Sequence, residues 1–251
     1  MKKRFISLDI SEIGFGQALQ TCLDLAKAKS SSYACFSNVH MVVDAWDHKE
    51  VQEAVNQANF AFADGMPIAK GYSLMYKTRQ ERIAGMDFIE PFLDLMHSNK
   101  LRLSIFGGSM KTLAEAEKKI RQDYPGISGI QCISPPFRNW TDEEEKGWID
   151  EISDFSPHVV FVILGCPKQE KFMKKFSSRI PALLLGLGGA LPTFLGIQKR
   201  APSWMKALML EWTYRLIQEP RRLWRRYTYT NLKFIVLFIW FLLLGPKTKK
   251  E

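Results

Sequence analysis

The segment NFAFADGMPIAK brings a short apolar run up to Asp64 and then turns on Gly65 and Pro67. A carboxylate held at the end of a buried strand, on the rim of a cleft, can take a proton from a substrate hydroxyl. An Asp in that setting can equally be a turn former or a helix N-cap, and the segment alone leaves both readings open. In VVFVILGCPKQEKF a second apolar run opens into Gly165, Cys166 and Pro167 before Lys168, Gln169 and Glu170. There Gln169 can hydrogen-bond a sugar, and the start of the next helix can receive a phosphate. Cys166 has the chemistry of a nucleophile, yet no His partner is apparent in the sequence, so a packed turn cysteine is the simpler reading. LSIFGGSMKT carries Gly107 and Gly108 at a helix start, where backbone amides can approach a ligand closely.

Other chemistries are excluded by pattern. Gly14-Phe15-Gly16 has no third glycine at dinucleotide spacing, and the chain contains no Walker-type lysine loop and no Asp-x-Asp. Cys22, Cys35, Cys132 and Cys166 lie too far apart for a C-x-x-C pair, and with His40, His48, His97 and His158 they make no recognisable zinc pattern. We therefore expect no metal site and no cofactor. A bound diphosphate must then be neutralised by the chain itself, and Arg215, Arg222, Arg225 and Arg226 offer planar forks that match phosphate oxygens.

Those arginines belong to a polarised chain. Of its 251 residues, 1 to 195 balance 23 Lys/Arg against 23 Asp/Glu, whereas Gly196 to Glu251 hold 12 against 3, the whole of the net charge of +9. The same tail carries Phe234 to Leu244, whose 11 residues fall short of the roughly 20 that a spanning helix needs. The expectation is a segment that dips into a bilayer without crossing it. Basic residues beside such a run suit an anionic membrane surface. A nucleic-acid partner would leave the apolar run without a use, and a merely solvated face fits poorly with four arginines and no acid between Pro220 and Tyr227. At the other end, Asp9 and Glu12 interrupt any signal-peptide core in MKKRFISLDISE, which predicts a cytosol-facing protein.

The elements that must position these residues alternate. Apolar runs at Tyr33–Ser37, Phe60–Ala63, Leu101–Phe106, Ile130–Ile133, His158–Leu164 and Ala182–Leu187 read as strands. Helical patterns fall between them at His48–Gln57, Met86–Ser98, Met110–Asp123, Thr141–Ser153 and Lys168–Phe176. The alternation predicts an α/β, Rossmann-like parallel sheet with helices on both faces, binding ligands at the carboxyl ends of its strands. Asn38, Asp64, Gly107 and Gly165 all follow strands, where that rule puts a site. From Pro202 the pattern is nearly continuous helix, with a break expected at Pro220. Beyond it Arg222, Arg225, Arg226, Tyr229 and Lys233 form one stripe, and Leu223, Trp224, Tyr227 and Phe234 another. The expected organisation is a catalytic core over 1–196 and a basic, helical, membrane-associating appendage over 197–251.

Taken together the motifs resemble the WecG/TagA/CpsF family of bacterial glycosyltransferases. They are NVHMVVDA, ADGMP, RIAGMD, FGG, SPPFR, LGCPKQE, KRAPSWM and LEWTYRLIQEPRRLWRRY, in order over about residues 33 to 230. The resemblance implies an inverting, metal-independent transfer of a sugar from a UDP donor to a polyprenyl-diphosphate-linked saccharide at the cytoplasmic membrane face. It implies Asp64 as the catalytic base and Asn38 and Gln169 as donor-site groups. By their motifs His40, Gly65, Arg82, Asp87, Gly107, Gly108 and Glu170 join the substrate site, and Arg215, Arg222 and Arg225 belong to an appendage that closes over it. Two positions depart from the pattern: Leu191-Pro192 where many relatives have Phe-Asp, and Phe36 where the N-acetylmannosamine subgroup has Thr. The implied donor sugar is therefore N-acetylmannosamine, its uronic acid, glucose or glucuronic acid. A homo-oligomer stays open, and so does a non-catalytic membrane scaffold that only binds anionic lipid or nucleotide-sugar.

Overall fold

The computed structural model describes residues 1–202, 205 and 211–245. Six parallel strands make the central sheet in the order β4-β3-β8-β7-β5-β6. They are β3 (Ser32–Ser37), β4 (Phe60–Ala63), β5 (Arg102–Phe106), β6 (Gly129–Ile133), β7 (Val159–Val162) and β8 (Leu183–Gly186). Their near-continuous apolar composition follows from burial on both faces. The pleat divides it between two cores: Tyr33, Cys35, Val160, Val162 and Leu184 point to one, and Ala34, Phe36, Val159, Phe161 and Leu185 to the other. The parallel α/β sheet is thus the architecture that the alternation predicted.

Several elements escaped the alternation. An antiparallel hairpin of β1 (Lys2–Phe5) and β2 (Leu8–Ser11) opens the chain, turning through Ile6 at φ 56°. No Gly or Asn marks that turn, so the usual signal is missing. Helices α1 (Phe15–Lys27), α2 (Val39–Asp47) and α4 (Met66–Tyr76) are also among them, as is the short helix Leu191–Phe194. In α2 the β-branched run Val39, Val42, Val43 argues against a helix locally. Burial of Met41, Val42, Val43 and Ala45 overrides that preference, and Asn38 caps the helix by accepting from the Met41 amide at 3.2 Å.

The remaining helices are α3 (Lys49–Asn56), α5 (Gly85–Ser98), α6 (Met110–Asp123), α7 (Asp142–Phe155), α8 (Lys168–Phe176), α9 (Leu191–Phe194), α10 (Glu211–Gln218) and α11 (Pro220–Leu244). The break at Pro220 is where proline's missing N–H and fixed φ place it. Helix α11 is amphipathic in a manner that the sequence reading did not foresee. Phe234, Leu237 and Phe241 are buried in the same core as Phe5 and Tyr72, and Phe234 and Phe238 lie 6.3 and 6.0 Å from the Phe5 ring. Gly71 makes room: a Cβ there would come within 2.9 Å of both Phe5 and Phe238. The opposite face, with Leu232, Ile235, Val236, Ile239 and Leu243, is exposed. Its length also differs from the 11-residue expectation, since Leu223–Leu244 is a 22-residue stretch of mean hydropathy 1.6, long and apolar enough by length and composition to cross a membrane.

Candidate active site

Asp64 follows β4 and is half-buried, with its amide donating to the Ser37 carbonyl at 2.8 Å, so the ends of β3 and β4 lock its position. Two cavities meet at this residue. The first, of about 240 Å³, lies over the ends of β3, β7 and β8 and is lined by Gly165, Gly186, Gly188, Gly189, Thr193, Lys199 and Arg200 among others. The second, of about 320 Å³, is lined by His40, Gly65, Met66, Pro67, Arg82, Trp212, Thr230, Asn231 and Ile235. Asn38, Asp64, Met86, Arg215 and Tyr227 line both. A carboxylate shared by two cavities can take a proton from a group in one as that group attacks a centre in the other.

The expected site residues divide by position. Asn38, His40, Asp64, Gly65, Arg82, Gln169 and Arg215 line one cavity or both. Gly107 and Gly108 line neither, because β5 stands beyond β7 in the sheet, away from the crevice over β3 and β8. Gly107 is needed instead for close backbone approach: at φ +103°, a Cβ would fall 2.6 Å from the Ile163 carbonyl. The glycines that do line the first cavity include Gly85 and Gly165 together with Gly186, Gly188 and Gly189, the last three from the GLGG run at the end of the last core strand. Arg225 is exposed, sits over the Trp224 ring at 5.6 Å and lines neither cavity. The side chains of Arg222 and Arg226 lie outside the described residues.

Gln169 lines the first cavity and also has a structural task. Its Oε1 accepts from the Gly188 amide at 3.1 Å, and its Nε2 donates to the Gly186 carbonyl at 3.2 Å and to Glu170 Oε1 at 2.8 Å. At 5% exposure it holds the glycine loop onto α8. Glu170 is fully buried, and that burial pushes its carboxyl up to about 7 against hydrogen bonds from Gln169, its own amide and Cys166. Asp87 lines no cavity; it bridges Arg82 and Arg200, the latter at 3.2 Å. Arg200 also donates to the Met86 carbonyl. Lys199 and Arg200, the start of the KRAPSWM motif, and the neutral Gln198 line the first cavity because the chain folds back over it. Gln218 fastens that loop to α10 through Lys199, at 3.2 and 3.1 Å. Phe36 and Pro192, the two departures, both line the first cavity.

The structure also corrects the reading of Cys166 and of the scattered histidines. His40, Asp44 and Cys166 offer ligand atoms within 4.8 Å of one another, so Cys166 does have an imidazole neighbour and a candidate metal-ligand cluster exists. Linear spacing conceals it, since Cys166 follows β7 while His40 and Asp44 lie on α2.

Residues 3–248 match the model of the glycosyl transferase WecG/TagA/CpsF family. The chain is 34% identical over 191 residues to an N-acetylglucosaminyldiphosphoundecaprenol N-acetyl-beta-D-mannosaminyltransferase of Bacillus spizizenii, covering 76% of this chain and 72% of that protein. It is 33% identical to the Bacillus subtilis protein of the same name, over 75% of this chain and 72% of the relative. Against the Staphylococcus aureus (strain MW2) protein of that name it is 28% identical, over 81% and 76%.

Proposed function

Because the chain belongs to the WecG/TagA/CpsF family of glycosyl transferases, we propose that it moves a sugar from a UDP donor to a saccharide linked to polyprenyl diphosphate, by one inverting displacement. The observation that carries the mechanism is the position of Asp64 on the wall common to two cavities. The glycine-lined cavity holds the donor. The cations of Lys199, Arg200 and Arg215 surround the space for the diphosphate, supplying positive charge where the leaving UDP gathers its negative charge. This arrangement needs no divalent metal for the leaving group.

The second cavity holds the acceptor. It opens beneath Trp212 and Ile235, and Ile235 belongs to the exposed apolar face of α11, so a lipid-linked sugar can reach Asp64 from a membrane surface. Asp64 removes the proton of the acceptor hydroxyl, whose oxygen attacks the anomeric carbon as the bond to UDP breaks. The relatives' names supply N-acetylmannosamine as the first donor sugar to test and N-acetylglucosamine on diphosphoundecaprenol as the first acceptor. Phe36, buried among Phe62 and Phe88, puts an apolar wall in the donor cavity, so the uronic acids, which bring a carboxylate, fit it less well than N-acetylmannosamine or glucose. The tail positions the enzyme as a peripheral protein of the cytoplasmic membrane face, with the outer side of α11 in the interface.

A screen of UDP-sugars against short-chain diphosphate-linked acceptors, with products read by mass spectrometry, tests this reading. One UDP-sugar should give an acceptor heavier by a single hexose-type unit with inverted anomeric configuration. Binding of UDP-sugar and acceptor without any product would leave a scaffold rather than a transferase.

A further inference from the structure

We propose that His40, Asp44 and Cys166 form a binding site for a zinc-type divalent cation, distinct from the sugar-transfer chemistry. His40 and Asp44 are four residues apart on α2 and so share a helix face, while Cys166 reaches them from the loop between β7 and α8. Their ligand atoms lie within 4.8 Å of one another. Tetrahedral zinc, with bonds of about 2.0–2.3 Å, needs its ligand atoms about 3.5 Å apart, so rotations about side-chain bonds close the gap.

An independent observation on Asp44 points the same way. Its Oδ1 is occupied by the His48 ring at 2.9 Å, but its Oδ2 is buried without a hydrogen-bond partner among the described residues. A buried carboxylate oxygen in that condition is costly, and a cation between it, the imidazole and the thiol satisfies it. Thiolate, imidazole and carboxylate together select a borderline ion such as Zn²⁺ over Mg²⁺ or Ca²⁺, which prefer all-oxygen sets. Three protein ligands leave a fourth position for water. Binding releases the Cys166 thiol proton to solvent, leaving a thiolate on the metal. The site's position gives it a consequence, because His40 lines the second cavity and Cys166 the first. A bound cation ties α2 to the β7–α8 loop and draws both cavity walls together.

The test uses full-length protein, reduced and stripped with chelator, titrated with Co²⁺ and then Zn²⁺. One equivalent of Co²⁺ should give a tetrahedral visible spectrum with a near-ultraviolet thiolate charge-transfer band, displaced by Zn²⁺, and the melting temperature should rise with either ion. Cys166→Ser should abolish the charge-transfer band. Asp44→Asn should keep the band but weaken affinity by ~10-fold or more. Absence of a tetrahedral spectrum, or a spectrum unchanged in Cys166→Ser, overturns the proposal. If Cys166→Ser does not fold, Asp44→Asn decides alone, and unaltered affinity in that variant rejects the site.

Discussion

Helix α11 carries both a core face and an outward face, and truncating Phe234 to alanine separates their roles. Phe234 and Leu237 are each 7% exposed and Phe241 5%, all within the core that contains Phe5. Removing a buried phenylalanine ring costs about 3–5 kcal/mol through lost transfer energy and a residual cavity. Phe234 lies at the edge of that core, where Phe5 and Phe238 can relax into the gap, so the low end, about 3 kcal/mol, is the appropriate figure. Ile239, by contrast, is 51% exposed, and Ile239→Ala should change stability by no more than ~0.5 kcal/mol. The two variants should diverge again in function. Leu223, Tyr227, Thr230, Asn231 and Ile235, all on α11, line the two cavities, so loosening the helix in Phe234→Ala should lower kcat/KM for transfer. Ile239→Ala should retain transfer to a soluble acceptor and bind vesicles more weakly, since it removes part of the exposed apolar face. Urea unfolding, co-sedimentation with anionic vesicles and transfer to a short-chain acceptor make the comparison. Equal, small losses of stability in both variants would refute the docking of α11 on the body.

Further outcomes follow from single groups. Asp64→Asn keeps the shape of the shared cavity wall but cannot take a proton, so turnover should fall by ~10²-fold or more with donor affinity little changed; near-normal turnover in the folded variant removes Asp64 from the mechanism. Transfer should survive EDTA, and a complete loss restored by Mg²⁺ or Mn²⁺ would contradict neutralisation of the diphosphate by Lys199, Arg200 and Arg215. Burial alone would raise the Asp47 carboxyl, but hydrogen bonds from Lys233 and Tyr229, the latter at 2.9 Å, outweigh it and hold the group below its ordinary value. A depressed folded value means that this contact supports α11 above the unfolded carboxylate range near pH 4 and is lost as pH falls through the folded value. Fluorescence of the Trp46–Trp240 pair, 5.8 Å apart, should therefore report an acid-induced loosening, and an identical acid midpoint in Asp47→Asn would disprove the link.

Local rules account for what could be read without coordinates. Buried parallel strands need continuous apolar runs, helices need a 3.6-residue period, and proline breaks a helix where it stands. The six strands, the break at Pro220, the position of Asp64 at a strand end and the polarised charge were all legible from those requirements. The family motifs were legible too, because their order and spacing lie along the chain. The missed α2 shows the limit of such rules: Val39, Val42 and Val43 are weak helix formers, and the segment is helical where Met41, Val42, Val43 and Ala45 are buried and α11 and α3 pack against it.

Tertiary structure decided what depends on strand order. Placing β8 between β3 and β7 brings the Gly186–Gly189 loop, rather than Gly107 and Gly108, to the crevice beside Asp64. It makes Gln169 the clamp of that loop at the wall of the first cavity, and it sets Cys166 against His40 and Asp44, more than a hundred residues away. The return of α11 over α2 converts half of a greasy run into core and leaves the other half as surface. None of these meetings has a linear signal, since a side chain's partners are set by which strands neighbour each other, and that is fixed by burial of the whole sheet at once.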